Sequence, residues 1–189
     1  MKKVIAILAT MIVLVGAVFA ATNDTLTITC NVAQVDPNFI LKGQLTGTGE
    51  TATGSTQTSG SATLASVLDI SKNDIPLAVT VAQYNNTKSK YKGTITLTIT
   101  PTALTLGSDS SDLPLYSDGE MKTVTGIVAA NSSIACNSST KVVTVTLKYS
   151  GCSVTDADVA SFVYTWKAKD ELPPGTGYSA TVQLTYNVT

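Results

Sequence analysis

The sequence predicts an all-β fold: an immunoglobulin-like two-sheet β-sandwich behind an N-terminal signal peptide. Three observations lead there. Period-two alternation of apolar and polar residues dominates the chain, and no stretch longer than about eight residues reads as an amphipathic helix. Thr, whose β-branched side chain suits a pleated, half-buried surface, supplies 31 of 189 residues. Only 13% of residues are charged, against the ~25% usual for soluble domains.

The chain starts Met1-Lys2-Lys3, runs through an unbroken apolar and small stretch from Val4 to Ala20, and turns polar at Thr22-Asn23-Asp24. Two lysines, an apolar core and the small residues ending at Ala20 read as a signal peptide over 1–20, cut before Ala21. An apolar stretch of ~17 residues is at the lower limit for spanning a bilayer, which disfavours an uncleaved anchor. Residues 21–189 then form a single sandwich domain with a net charge of −3.

Strands are expected in order along that domain. Leu26, Ile28, Cys30 and Val32 alternate with Thr25, Thr27, Thr29 and Asn31 in the first. Further strands are expected at Phe39 to Leu45, Ala62 to Ile70, Leu77 to Gln83, Thr94 to Thr100, Thr123 to Ala129, Val142 to Tyr149, Phe162 to Lys167 and Tyr178 to Val188. Nine strands separated by turn-like clusters fit a two-sheet sandwich. In the last, Tyr178, Ala180, Val182, Leu184, Tyr186 and Val188 form one apolar row, so that strand is expected deep in the sandwich. One turn of helix is expected at Thr155 to Ala160, capped by Ser153 or Thr155.

Two connections stand out. Thr46 to Ser61 is a Gly/Ser/Thr tract expected to be a surface loop. Gly107 to Glu120 carries Asp109, Asp112, Asp118 and Glu120; these could offer oxygens to Ca²⁺, but their spacing matches no EF-hand loop, and a solvated turn is the plainer expectation.

Composition limits the chemistry. The chain has no His and no Arg. A Ser-His-Asp or Cys-His unit is excluded, as is a guanidinium clamp for phosphate or DNA. A weakly acidic, Arg-free surface is a poor partner for nucleic acid. No cofactor is implied, and the chain is not expected to be an enzyme. The carboxylate pair Asp156 and Asp158 invites a glycosidase reading, but it follows a turn signal and loops here are rich in acids.

Three cysteines in an exported chain suggest one disulfide and one left over. Cys136 and Cys152 have 15 residues between them, a loop whose closure is worth ~3 kcal/mol in the entropic picture. Pairing of Cys30 with either remains open. Cys30 sits in the apolar row of the first strand, as a small buried hydrophobe or as an inter-subunit disulfide partner. Without a His base or basic neighbour none of the three reads as a catalytic thiol.

Phe162, Tyr164 and Trp166 share one face of a strand. Such a row is a platform for sugar rings or a line of core residues, and the core is the simpler reading. Asn-x-Ser/Thr sequons at Asn23, Asn85, Asn131, Asn137 and Asn187 matter only where secreted proteins are glycosylated.

The termini carry a resemblance. Asn23-Asp24-Thr25-Leu26-Thr27-Ile28-Thr29-Cys30-Asn31-Val32, followed by Val35-Asp36-Pro37-Asn38-Phe39-Ile40-Leu41, resembles the mature start of chaperone-usher pilins of the class 5, colonisation-factor type. Gly175-Thr176-Gly177-Tyr178-Ser179-Ala180-Thr181-Val182-Gln183-Leu184-Thr185-Tyr186 is similar to the last strand of those pilins and of the related spore-coat-U-like secreted proteins. The likeness covers about thirty residues. It implies an incomplete immunoglobulin-like fold whose N-terminal extension, residues 25–32, is donated to a neighbouring subunit. Leu26, Ile28, Cys30 and Val32 then fill the acceptor. The implied partners are copies of itself or related subunits, a periplasmic chaperone and an outer-membrane usher.

Two functions follow. The first is a secreted structural subunit of an extracellular fibre, pilus or surface layer at the cell surface, reached through the periplasm in a Gram-negative cell. The second is a monomeric secreted binding module for carbohydrate or adhesion, with Phe162, Tyr164 and Trp166 as its platform.

Overall fold

Where the described sequence alternates, the backbone is extended. The structure, a computed structural model, describes residues 37–45, 51–53, 61–67, 74–84, 90–168, 172–173 and 178–188. The expected signal peptide and the strand containing Leu26, Ile28, Cys30 and Val32 lie outside the described residues. Twelve strands are described: β1 (Asn38–Leu45), β2 (Thr51–Thr53), β3 (Ser61–Val67), β4 (Ile75–Tyr84), β5 (Lys90–Pro101), β6 (Thr105–Leu106), β7 (Asp109–Ser110), β8 (Leu115–Met121), β9 (Ser133–Cys136), β10 (Val143–Ser153), β11 (Ala157–Trp166) and β12 (Ser179–Val188). A single 3₁₀ turn, Ala129–Asn131, precedes β9. Among the described residues no helix is long and apolar enough to cross a membrane.

All described strand pairs are antiparallel. One sheet has the order β2-β1-β4-β11-β8; the other runs β7-β6-β12-β5-β10-β9, with β3 also paired to β12. Their inner faces close on a common core. Phe39 and Leu41 from β1, Leu77, Val79 and Val81 from β4, and Phe162, Tyr164 and Trp166 from β11 face Ile95, Leu97 and Ile99 of β5, Val143, Val145 and Leu147 of β10, and Val182 and Leu184 of β12. Every second residue is buried because successive side chains of a strand point to opposite faces.

Thr richness has its place on the outer face of the second sheet. Thr98 lies between Thr144 and Thr185, and Thr96 between Thr146 and Asn187. Adjacent β-branched side chains shield one another across the ladder, which stabilises a sheet without adding charge. β12 lies deep, as its regular apolar row requires: β3 pairs along one edge from Ser179 to Thr185, and β5 along the other from Val182 to Val188.

Four local expectations are corrected. Thr123 to Ala129 is not a strand, because Gly126 takes φ 92° and Ile127 N–H bonds back to Val124 O at 3.2 Å, closing a turn. The strand of that region is β8, hidden within the acidic tract because Ser-Asp-Gly looks like a turn. It is a β-bulge instead. Asp118 has φ 56°, two residues of β8, Asp118 and Gly119, oppose the single Phe162 between the Ser161–Glu120 and Val163–Ser117 pairs, and a Cβ on Gly119 would come 1.7 Å from Tyr116 Oη. No helix forms at Thr155 to Ala160: β11 begins at Ala157, and the consecutive burial of Val159 and Ala160 that imitates helical spacing is a bulge against β4. The polar tract after Thr46 contains β2, so it is not loop throughout.

Trp166 is 1% exposed and donates its indole N–H to Thr102 O at 3.1 Å. Trp166→Ala is expected to cost roughly 3–5 kcal/mol, the range for emptying a large aromatic site. Trp166→Phe, which keeps most of the packing and loses the hydrogen bond, is expected to cost about 1–3 kcal/mol. Guanidinium unfolding curves with unchanged slope check both.

Candidate functional site

The aromatic row of β11 is the first candidate, and it is core. Phe162, Tyr164 and Trp166 are at most 2% exposed, with Phe162 and Tyr164 edge to face at a centroid distance of 5.0 Å and Tyr164 and Trp166 tilted at 6.2 Å. Their polar tips reach across the sandwich. Tyr164 Oη donates to Lys141 O at 2.5 Å, at the start of β10, and Trp166 Nε1 reaches the end of β5. A sugar ring has no access to these faces, so the expected ligand platform is overturned. The carbohydrate-module reading loses the residues it rested on.

A third aromatic tip was not legible as such. Tyr149 of β10 donates to Gln83 Oε1 at 2.5 Å, and Gln83 Nε2 donates to Thr155 O at 2.9 Å. Gln83, 1% exposed, continues the inward row Leu77, Val79, Val81. Its parity was the available signal: a Gln in an apolar row must find partners there. Burial, reinforced by the neighbouring Tyr91, pushes the Tyr149 hydroxyl well above its ordinary value; burial, with Cys136 and Tyr116 nearby, does the same for Tyr164.

The cysteine pairing is also corrected. Cys136 is a free thiol, half-buried, donating to Asn137 O at 3.5 Å. It lies opposite Val143 at the start of β10, whereas Cys152 lies nine residues further along that same strand. That is roughly 25–30 Å at strand rise, and a disulfide needs Cα atoms within about 7 Å. The fifteen-residue spacing suggested a closed loop; β10 makes it a rod. Burial raises the Cys136 thiol above its ordinary value, partly offset by Lys141, so it stays protonated and unreactive near neutrality.

Among the described residues the acids do not assemble. Asp118 accepts from Ser117 Oγ at 3.1 Å and Glu120 pairs with Lys122. Among the described residues no three His, Cys, Asp or Glu side chains come together as metal ligands. Asp156 and Asp158 border an open depression of about 500 Å³ on the outer face of the first sheet, with Ile40, Lys42, Ala82 and Tyr84. Lys42 Nζ binds Asp158 there at 3.0 Å, with both side chains about half exposed. Solvent reaches both carboxylates, so neither has the desolvated setting that general-acid chemistry uses. The sequons at Asn131, Asn137 and Asn187 are at the surface, and Asn137 Oδ1 is engaged by the backbone N–H groups of Ser139 and Thr140.

What the described surface offers instead is strand edges, and its two sides differ. On one side, β8 is bulged and carries Asp118, Glu120 and the Lys122 ion pair. β9 beside it covers the start of β10, and the rest of the β10 edge is met by Val128 N–H to Lys148 O at 2.7 Å and Ser150 N–H to Gly126 O at 3.0 Å. On the other side, β1 is paired along its full length to β4, but β2 covers only Lys42, Gly43 and Gln44. Among the described residues no strand pairs with the outer edge of β1 over Asn38 to Leu41.

The described residues therefore form a two-sheet antiparallel β-sandwich whose β8 and β9 flank is guarded by a bulge, by charges and by backbone bonds. Compared with protein-family models, with curated proteins and with solved structures, the chain matches none of them.

Two outcomes are expected here. Non-reducing peptide mapping will find Cys136 unlinked to Cys152 within one chain. Stability will also fall above about pH 10: an unfolded tyrosine ionises there, whereas folded Tyr149 and Tyr164 keep their protons. Their contribution is therefore complete below that pH and is lost as pH rises toward the folded values. Denaturation midpoints measured from about pH 9 to about pH 11 will drop less steeply for Tyr164→Phe than for the parent.

Proposed function

We propose that the chain is a non-catalytic structural subunit, exported by the segment 1–20 and assembled outside the cell into a fibre, pilus or surface layer by strand donation. One observation carries the reading: the chain joins the sandwich at an edge strand. β12, at the other end of the described fold, is paired on both sides, while among the described residues β1 is paired to β4 on one side and to only three residues of β2 on the other. A segment continuous with an edge strand can pair with another molecule without breaking a central ladder. The segment in question, Thr25 to Val32, alternates strictly and carries no charge, so it has the pattern of a strand and lacks the charged residues that discourage intermolecular pairing. Partners are further copies or related subunits; in a Gram-negative cell, a periplasmic chaperone would hold the segment's counterpart surface until an outer-membrane usher exports the subunit.

The test is assembly. Purified chain spanning 21–189 is expected to form thin polymers in negative stain that survive mild denaturant. Deletion of residues 25–32 is expected to leave soluble monomers of unchanged circular dichroism. A full-length chain that stays monodisperse and monomeric under all conditions would falsify the proposal.

A further inference from the structure

We infer that Asn137 is an acceptor site for an N-linked glycan, transferred from a polyprenyl-diphosphate-linked oligosaccharide when the chain is exported. This rests on the export part of the proposed function and not on strand donation.

The chain carries five Asn-x-Ser/Thr sequons, and the asparagines of three, Asn131, Asn137 and Asn187, lie among the described residues. A sequon is only a motif; a transferase must also reach the amide and seat the two residues after it. The fold separates the three sequons on this requirement. Asn187 lies in β12 opposite Thr96, inside the ladder with β5 that runs from Val182 to Val188. Offering it to an enzyme means peeling β12 from the core. Asn131 ends the 3₁₀ turn, with its N–H bonded to Val128 O at 3.1 Å. The middle residue of its sequon, Ser132, donates from Oγ to Val128 O at 2.9 Å and accepts the Lys148 N–H at 3.0 Å; the third, Ser133, pairs with Thr146. Every residue of that sequon is engaged.

Asn137-Ser138-Ser139 is placed differently. The ladder between β9 and β10 ends at the Cys136–Val143 pair, so the whole sequon stands on the tip of that hairpin. Asn137, Ser138, Ser139 and Thr140 are all exposed. The tip is nonetheless held in one shape: Asn137 N–H donates to Val142 O and Lys141 N–H to Asn137 O, each at 2.9 Å, with Lys141 at φ 59°. From inside the sandwich, the Tyr164 hydroxyl fixes Lys141 O.

The same turn orients the acceptor side chain. Ser139 N–H and Thr140 N–H both donate to Asn137 Oδ1, at 2.9 and 3.0 Å. Two donors require an acceptor at that atom, so the NH₂ group is the other end of the amide, on the side away from the turn. In the transfer, Nδ2 forms a bond to the anomeric carbon of the sugar as the bond from that carbon to the diphosphate oxygen breaks. The polyprenyl diphosphate leaves with the electron pair, and Nδ2 gives one proton to a carboxylate of the transferase. No packed residue has to move. β4 runs from Ile75 beside Trp166 to Tyr84 beside Asn38, so a glycan at the Tyr164 and Trp166 end stands away from the start of β1.

The test offers folded and unfolded acceptors to one enzyme. Purified chain spanning 21–189, and synthetic peptides carrying each of the three sequons, are incubated with a single-subunit oligosaccharyltransferase and a polyprenyl-diphosphate oligosaccharide. Peptide mass spectrometry is expected to find the folded chain glycosylated at Asn137 and bare at Asn131 and Asn187, with all three peptides modified. Asn137→Asp keeps the oxygen that closes the turn and removes the amide, so it is expected to lose the glycan with an unchanged denaturation midpoint. Ser139→Ala is expected to lose it and Ser138→Ala to keep it. A folded chain modified at Asn131 or Asn187 as readily as at Asn137, or at none of the three, would overturn the site. In a eukaryotic host that glycosylates its secretory proteins, the full chain 1–189 is expected in the medium with Asn137 glycosylated. Retention inside the cell without glycan, when the purified chain is modified at Asn137, would remove export and leave the acceptor standing. A secreted chain bare at Asn137 would remove the acceptor and leave export standing.

Discussion

Two sheets held face to face by burial alone could slide, because the hydrophobic effect has no direction. What fixes one sheet on the other here is a set of aromatic tips that must find acceptors across the core. Tyr164 and Trp166 leave β11 in the first sheet and end on Lys141 O and Thr102 O, both flanking strands of the second. Tyr149 makes the reverse crossing from β10 to Gln83 on β4. Each ring supplies a large buried area, and each tip, taken out of water, would cost about 1–3 kcal/mol if left unpaired. The relative placement of the sheets follows from satisfying all three together.

That constraint explains the order of the first sheet. β11 sits between β4 and β8, where a strand whose inner row is Phe, Tyr and Trp can bury it fully. Tyr116 on β8 extends the aromatic cluster toward the flank, its ring 5.7 Å from Phe162. The bulge at Asp118 and Gly119 is needed there because the phenol occupies the space a side chain at 119 would use. Closing the core on that flank thus also guards it. Among the described residues the opposite flank has no equivalent, and beyond β4, β1 is paired only at Lys42 to Gln44.

The inward rows of β4, β5, β10, β11 and β12 were legible because each alternates over five or more residues, and a period of two has one structural meaning at that length. β8 was not, because its Ser-Asp-Gly has the composition of a turn and only the neighbouring strand makes it a bulge. The false helix at Thr155 to Ala160 failed for a related reason: the one-residue offset at Val159 changes the period locally, and an offset cannot be told from helical spacing without the partner strand in view. For the candidate site, the aromatic row was visible but its surroundings were not. A row of Phe162, Tyr164 and Trp166 has the same sequence whether it faces water or a second sheet.

By itself, then, the sequence determined the class of secondary structure, the side-chain parity of the long strands, the absence of His and Arg chemistry, and a Thr-rich surface in place of a charged one. All of these depend on residue type and on spacing within one segment. Only the tertiary structure decided that Cys136 on β9 faces the start of β10 while Cys152 lies near its far end, that the aromatic row is core, and that the β8 and β9 flank is guarded. Those are relations between segments far apart in the chain. Loop-closing distance, burial and edge pairing depend on what lies across a ladder or a sheet, and local spacing does not encode the neighbour.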